Sequence, residues 1–285
     1  MSEKNKGRLA IALCAICYGL AGVCVKSITW SPLSIVAFRS LVSLIIFCII
    51  NKKIKFQITK LNIFGAMCMS ACGILYVIAI KLTTAGTAIV LQYVAPILVF
   101  LYAVFFQHRK AQSYEIVLTT LVFFGCVLSF ADNIDMSHIL GNILALLSGF
   151  AYAGQIIIMN KKEVDSSEVI RLSNLLSLIV SLPFALFDSS ISFDFNNLLW
   201  LIILAVFQYG LGNILFSKGI DKIDKIEASL LLTIEPIFNP IPVAIFCHEK
   251  MGVLAIVGAI IVITSATLYS VISEKKAKQT STVVN

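Results

Sequence analysis

One carboxylate stands where carboxylates are rarely kept. Glu235 is about the tenth residue of a 21-residue apolar run, 226–246. If that run is a helix across a bilayer, the acid lies near the midplane, at a cost of roughly 2.5–3.5 kcal/mol on insertion scales. Acids retained at such depth usually face a cavity. Pro236 follows directly, and a proline frees a backbone carbonyl one turn earlier and kinks the helix. Glu235 therefore suits a proton-coupling carboxylate or an acceptor for a substrate amine. It also suits a protonated acid hydrogen-bonded to a neighbouring helix for packing.

Helical spacing supplies its partners. At about 100° per residue, Glu235, Pro236 and Asn239 share one side of their helix. Gln92 lies one turn before Pro96 and shares its face. Ser148, Tyr152 and Gln155 form one stripe, and Gln208, Tyr209, Gly212 and Asn213 add amides and a phenol. Tyr18 and Tyr76 complete the set. Amides and phenols facing lipid are costly, so each faces protein or water. Taken singly they read as inter-helix hydrogen bonds; taken together they read as a lined cavity. Arg39 either binds a substrate carboxylate or snorkels outward. Arg171, three residues into its apolar run, is expected to snorkel to the cytoplasmic interface.

These residues need elements to hold them. The chain has 285 residues, of which 59% are hydrophobic and 13% charged, and its mean hydropathy is +0.96. A soluble domain carries about 25% charged residues. A soluble enzyme, a disordered chain and a fibrous protein are thereby excluded. Ten apolar runs fall at 9–28, 33–50, 61–80, 84–106, 114–131, 139–159, 168–187, 196–217, 226–246 and 251–272. Every backbone group must be satisfied within its own segment, so these are helices, and no alternating ten-residue strands suggest a barrel. The fold class is an all-α integral membrane protein. The connections are too short for a domain outside the bilayer, so function lies within it.

Cations give the orientation. With a cytoplasmic N-terminus, seventeen of the 22 Lys and Arg fall on inside segments, while only Lys26, Lys81 and Lys250 fall on outside loops. That asymmetry places both termini in the cytoplasm, in the cytoplasmic or inner membrane. It also explains the net charge of +7 without nucleic acid. The outer loops carry Asp132, Asp135, Asp188 and Asp194. Lys4, Lys6 and Arg8 precede the first run without an A-x-A-like cleavage site, which reads as a signal anchor. Eight cysteines lie within or at the ends of apolar runs, as small packing residues rather than a disulfide framework.

The chain repeats itself. Gly86-Thr87-Ala88-Ile89-Val90-Leu91 through Ala95-Pro96-Ile97 lies 140 residues before Ile226-Glu227-Ala228-Ser229-Leu230-Leu231 through Glu235-Pro236-Ile237, and His108 meets His248 at the same offset. Nearer the N-terminus the offset is 134, where Ala15-x-x-Tyr18-Gly19 meets Gly149-x-x-Tyr152-Ala153. Two halves of five helices follow, at 1–135 and 136–274, with a cytoplasmic tail at 275–285. Five is odd, so the second half enters the membrane from the opposite side. Such an inverted repeat is a signature of secondary transporters. The small-x-x-x-small pairs Ala15/Gly19 and Gly149/Ala153 suggest that spans one and six meet near the pathway.

With Pro96 and Pro236, Ala228-Ser229-Leu230 through Glu235-Pro236, His248-Glu249 and Ala37-Phe38-Arg39, the sequence resembles the drug/metabolite transporter superfamily, in particular its EamA-type ten-span members. The likeness covers nearly the whole chain. It implies two five-helix repeats around a central pathway, and carriage of amino acids, related metabolites or drugs, often outward. The family's Leu-Gly-Glu after span nine reads Cys247-His248-Glu249 here, and after span four Gln107-His108-Arg109 has no acid. Span one lacks the embedded Glu through which small four-span relatives couple cation export to protons.

The expected function is a secondary transporter of small metabolites such as amino acids or derivatives, working by alternating access. Its substrate-binding residues are Glu235, Gln92, Tyr152, Gln155, Asn213, Tyr76, Tyr18, Tyr209, Asn239 and Arg39, with kinks at Pro96 and Pro236. Its partners are a small-molecule substrate, the lipid bilayer and a coupling proton, in a monomer or weak homodimer. Other readings are a multidrug carrier, a facilitator, a channel or a membrane-embedded enzyme. No H-E-x-x-H, G-x-S-x-G or P-loop is present, and no cofactor or metal is implied. Asp221-Lys-Ile-Asp224 reads as a solvated charge run.

Overall fold

The computed structural model describes residues 2–51, 56–131, 138–223, 228, 231–232, 234–248 and 252–283. Among them the elements are helical and no strand occurs. The loop cations Lys52, Lys53, Lys55, Lys225 and Lys250 lie outside the described residues. So do Asp132, Asp135, Asp224 and Glu249, and the repeat residues Ile226, Glu227, Ser229 and Leu230.

Seven segments are long and apolar enough to cross a membrane: Glu3–Ser27, Pro32–Ile50, Lys60–Leu82, Ala85–Phe105, Ile139–Met159, Ser166–Leu186 and Phe195–Ile220. Three shorter apolar helices, Ser113–Leu128, Ile234–Cys247 and Val253–Tyr269, complete a ten-span chain. Spans are numbered below in chain order. Local chemistry sets several ends. Thr59 accepts from the Asn62 amide, Thr84 from Thr87, Asp165 from Ser167 and Glu168, and Asp194 from Asn197. Each satisfies an amide that has no partner within its own first turn.

The surface is inverted relative to a soluble protein. Large apolar side chains such as Ile49, Phe105, Phe106, Leu186 and Val253 are exposed, whereas Arg39, Arg171, Asn213 and Glu235 are buried. In water such a belt would aggregate; facing lipid it is the stable arrangement.

The two halves pack as inverted copies. Span three packs on span six, and its symmetry counterpart, span eight on span one, repeats that contact. Spans two and seven pack on each other, as do spans five and ten, and each of those pairs maps onto itself. Glycines show the register at atomic scale. A Cβ on Gly7 would meet Lys222 and Ile223, and one on Gly141 would meet Leu82 and Thr83. Those positions correspond through the offsets of 134 and 140 read from the sequence. His108 and His248, the pair at offset 140, both adopt left-handed backbone, with φ 51° and 53°. The fold is thus two inverted five-helix repeats.

Several spans are discontinuous. Span one breaks between Tyr18 and Ala21, and span four between Gln92 and Ala95. Within span nine, helix covers Ile234–Phe238 and Pro240–Cys247. Pro96 lies in the first turn after the span-four break. Span eight contains a π-helix, Ile203–Leu211. The small pairs on spans one and six do not serve the contact expected of them. Gly19 closes on Phe238 of span nine, and Gly149 on Gln92 and Val94 of span four. The broken helices nine and four present bulk at those points, and the small residues admit it.

The apolar core forms two blocks. One gathers Ile28, Trp30, Ile35, Ile80 and Ile89, toward the face opposite the termini. The other gathers Ile11, Phe47, Ile156, Val169 and Phe216, toward the face of the termini. Polar latches tie helix ends on both faces. Arg171 does not snorkel. It is fully buried, bonds Glu168 at 2.9 Å and stacks over Phe56 at 4.6 Å. An acid three residues earlier gives it a partner inside the protein, which removes the need to reach water. Glu168 also accepts from the Gln57 amide at 2.8 Å. On the opposite face Asp188 accepts from Ser34 and Ser190, and from the Ser31 amide. Desolvation pushes its carboxyl upward, but these donations outweigh it and hold Asp188 below the usual carboxylate range. Asp221, expected as a solvated charge, is exposed and also accepts from the Ser166 hydroxyl at 2.8 Å.

Candidate functional site

Between the two apolar blocks lies a cavity of about 60 Å³. Nine of the ten expected binding residues line it: Tyr18, Arg39, Tyr76, Gln92, Tyr152, Gln155, Tyr209, Asn213 and Glu235. They come from spans one, two, three, four, six, eight and nine, and so from both repeats. No local interaction gathers them. Helix packing does, and Tyr18 and Gln92 end the helical stretches that precede the breaks in spans one and four.

Asn239 is the exception. One helical turn, about 5.4 Å, carries it past the cavity. It packs instead on Gly22 of span one, where an added Cβ would stand 2.7 Å from its Oδ1. The side chain is fully buried, and neither polar atom has a hydrogen-bond partner. Pro236 lies within the Ile234–Phe238 helix beside Glu235.

Glu235 is buried and receives a long hydrogen bond, 3.5 Å, from the Tyr93 hydroxyl, which also donates to the Leu232 carbonyl. Gln92 donates to Ser148 Oγ at 3.2 Å and to Cys72 Sγ at 3.5 Å. Tyr18 donates to Asn213 Oδ1 at 2.5 Å, tying span one to span eight. Its symmetry mate Tyr152 has no such partner, because the position matching Asn213 at offset 140 is Gly73. That vacancy is filled by Arg39, whose Nη2 donates to the Gly73 carbonyl at 3.0 Å. The guanidinium lies over the Tyr209 ring, 4.4 Å from its centroid. Arg39 is 2% exposed, so it does not snorkel.

Met69, Cys72 and Gly73 also line the cavity and were not foreseen. Gly73 was open to discovery, since the 140 offset sets it against Asn213. Met69 and Cys72 carry no signal that separates them from packing residues. Gln208 and Tyr209 reach the cavity from within the π-helix, whose wider turn departs from the 100° spacing assumed in the sequence.

A polar cavity lined from both inverted repeats, flanked by apolar blocks and bordered by broken helices, is the arrangement of the inverted-repeat class of membrane transporters. The EamA-like transporter family model matches residues 5–131 and 139–271, one match for each repeat. The chain belongs to that family and is a multi-pass membrane transporter of the drug/metabolite type. A solved structure, described only as the crystal structure of a protein, is similar with TM-score 0.69 at 12% identity, over 96% of this chain and 98% of its own. That likeness concerns the fold. No curated protein sequence matches significantly.

Proposed function

We propose that the protein is a secondary transporter exporting small metabolites such as amino acids or their derivatives, by alternating access around the midplane cavity. The halves 1–135 and 136–274 rock against each other, with Pro96 and Pro236 at their kinks. Glu235 acts as a proton-coupling carboxylate or as the acceptor for a substrate amine. Gln92, Tyr152, Gln155 and Asn213 supply hydrogen bonds, and Tyr18, Tyr76 and Tyr209 give walls with polar tips. The protein works in the cytoplasmic membrane, termini inside, as a monomer or weak homodimer.

The observation that carries this reading is the burial of Glu235 in a shared cavity with no cationic partner among the described residues. An acid so placed exchanges a proton or waits for a cation. Purified protein in liposomes tests it. Saturable uptake that shows counterflow marks a carrier, whereas conductance without either sinks the reading. Glu235→Gln should abolish the pH dependence of transport and leave folding intact. Wild-type transport across pH in that variant removes Glu235 from the mechanism.

A further inference from the structure

Arg39 lacks what the other buried arginine has. Arg171 finds Glu168 three residues earlier, and half-exposed Arg109 is bonded to Glu115. Three residues before Arg39 stands Val36, and no carboxylate among the described residues lies within ion-pair distance of its guanidinium. Glu235 lines the same cavity without pairing with it. The Arg39 Nε–H has no partner at all. An unpaired cation at this depth is expensive unless something arrives to neutralise it.

The surroundings point to what arrives. Of the unpartnered buried polar atoms on the cavity-lining residues, the Tyr76, Tyr152 and Tyr209 hydroxyls and the Asn213 Nδ2 can donate, and the Gln208 Oε1 accepts. Donors gathered round a buried guanidinium match an anion that bears several oxygens. The arrangement also departs from the internal symmetry in a matched way. At offset 134 the counterpart of Arg39 is Ser173, and at offset 140 the counterpart of Gly73 is Asn213. A Cβ on Gly73 would stand 2.8 Å from Arg39 Nη2. The arginine and the glycine that makes room for it thus occur together, in one repeat alone.

We propose that the cavity is an oxyanion receptor, in which Arg39, seated by Gly73, takes a carboxylate or phosphate of the carried molecule while the Tyr76, Tyr152 and Tyr209 hydroxyls and the Asn213 amide complete its shell. Glu235 then meets a different part of the same molecule. This rests on the cavity being the substrate site, and it makes Arg39 a specificity determinant: molecules without an oxyanion are poorly held.

The test uses the full chain in lipid nanodiscs. Phenylglyoxal modifies arginine side chains, and peptide mass spectrometry reads the rate at Arg39 and, as an internal reference, at Arg109. Acetate, inorganic phosphate and tetramethylammonium chloride are the probes, with sodium chloride holding ionic strength constant. Saturating acetate or phosphate should slow modification of Arg39 by about tenfold and leave Arg109 unchanged. Which anion protects separates a carboxylate from a phosphate receptor. Tetramethylammonium should give no protection. Gly73→Ala, which displaces the flexible end of Arg39 rather than backbone, should remove most of the protection in a protein that still folds. An Arg39 modified equally fast with and without oxyanions, protected equally by tetramethylammonium, or not modified under any condition, overturns the proposal. Counterflow of a labelled amino-acid mixture in liposomes separates the two readings. Exchange with an unprotected Arg39 removes the receptor alone; protection without exchange removes the carrier reading alone.

Discussion

Tyr18 and Tyr152 occupy equivalent places in the two repeats, yet removing their hydroxyls should have opposite consequences. The Tyr18 hydroxyl is bonded to Asn213 Oδ1 at 2.5 Å inside the protein. Asn213 is fully buried and its Nδ2 already lacks a partner, so Tyr18→Phe leaves the whole amide unsatisfied. A lost hydrogen bond plus a stranded acceptor costs about 1–3 kcal/mol in water-soluble proteins. Inter-helix bonds in a membrane run lower, about 0.6 kcal/mol on average and up to about 1.7. The expected loss is therefore about 1–1.5 kcal/mol. Tyr152 has no partner for its hydroxyl, so Tyr152→Phe should change stability by less than about 0.5 kcal/mol. In transport the order should reverse. Tyr152→Phe removes a hydroxyl that is free to meet substrate, whereas Tyr18→Phe removes one already engaged. Reversible unfolding in mixed micelles, paired with initial rates in liposomes, measures both. Equal stability losses in the two variants, or a larger loss in Tyr152→Phe, would refute the assignment of one hydroxyl to packing and the other to the cavity.

The Arg171–Glu168 pair should behave as a buried ion pair. Arg171→Leu alone strands Glu168 and should cost about 3–5 kcal/mol, while Arg171→Leu with Glu168→Leu should recover most of that. A single variant that unfolds like the wild type would show that the pair is solvated. Asp188 gives a pH signature. Its folded value lies below the unfolded value of about 3.9, so its contribution is present above that pH and is lost as pH falls through the folded value. The gap in thermal stability between wild type and Asp188→Asn should be largest above about pH 5 and should close on acidification. A gap that widens in acid contradicts the hydrogen bonds from Ser31, Ser34 and Ser190.

Much of the scaffold is legible in the sequence because its physics is one-dimensional. Length and hydropathy mark each span independently, and the repeat offsets hold down to the glycine contacts of Gly7 and Gly141. The site is legible for a related reason. A polar group in an apolar helix has few places to go, so Gln92, Tyr152, Asn213 and Glu235 converge. What escapes is whatever depends on three-dimensional neighbours. Arg171 looks like a snorkelling cation until Glu168 is seen to stand inside with it. Asn239 shares a helical face with Glu235 but meets Gly22 one turn further along. The π-helix over Ile203–Leu211 is not marked in the sequence, although Gln208 and Tyr209, which it carries, line the cavity.

The repeats also separate scaffold from chemistry. Positions that obey the symmetry belong to the scaffold: Gly7 with Gly141 and the mutual pairs of spans two and seven in helix contacts, and His108 with His248 in left-handed backbone at exposed helix ends. The charged groups of the cavity sit where symmetry fails. Glu235 stands opposite Ala95, Arg39 opposite Ser173, and Asn213 opposite Gly73. Two inverted halves with identical linings would present the same surface twice to a bound molecule, and would suit a ligand with two like ends. This cavity instead carries an acid from the second repeat and a cation from the first, and the two do not neutralise each other. An inverted repeat needs symmetry to exchange the roles of its halves as it rocks, but recognition of an asymmetric molecule needs the lining to differ. The departures at these three positions meet both demands, because they alter side chains at the cavity and leave the contacts between the repeats in their matched pairs.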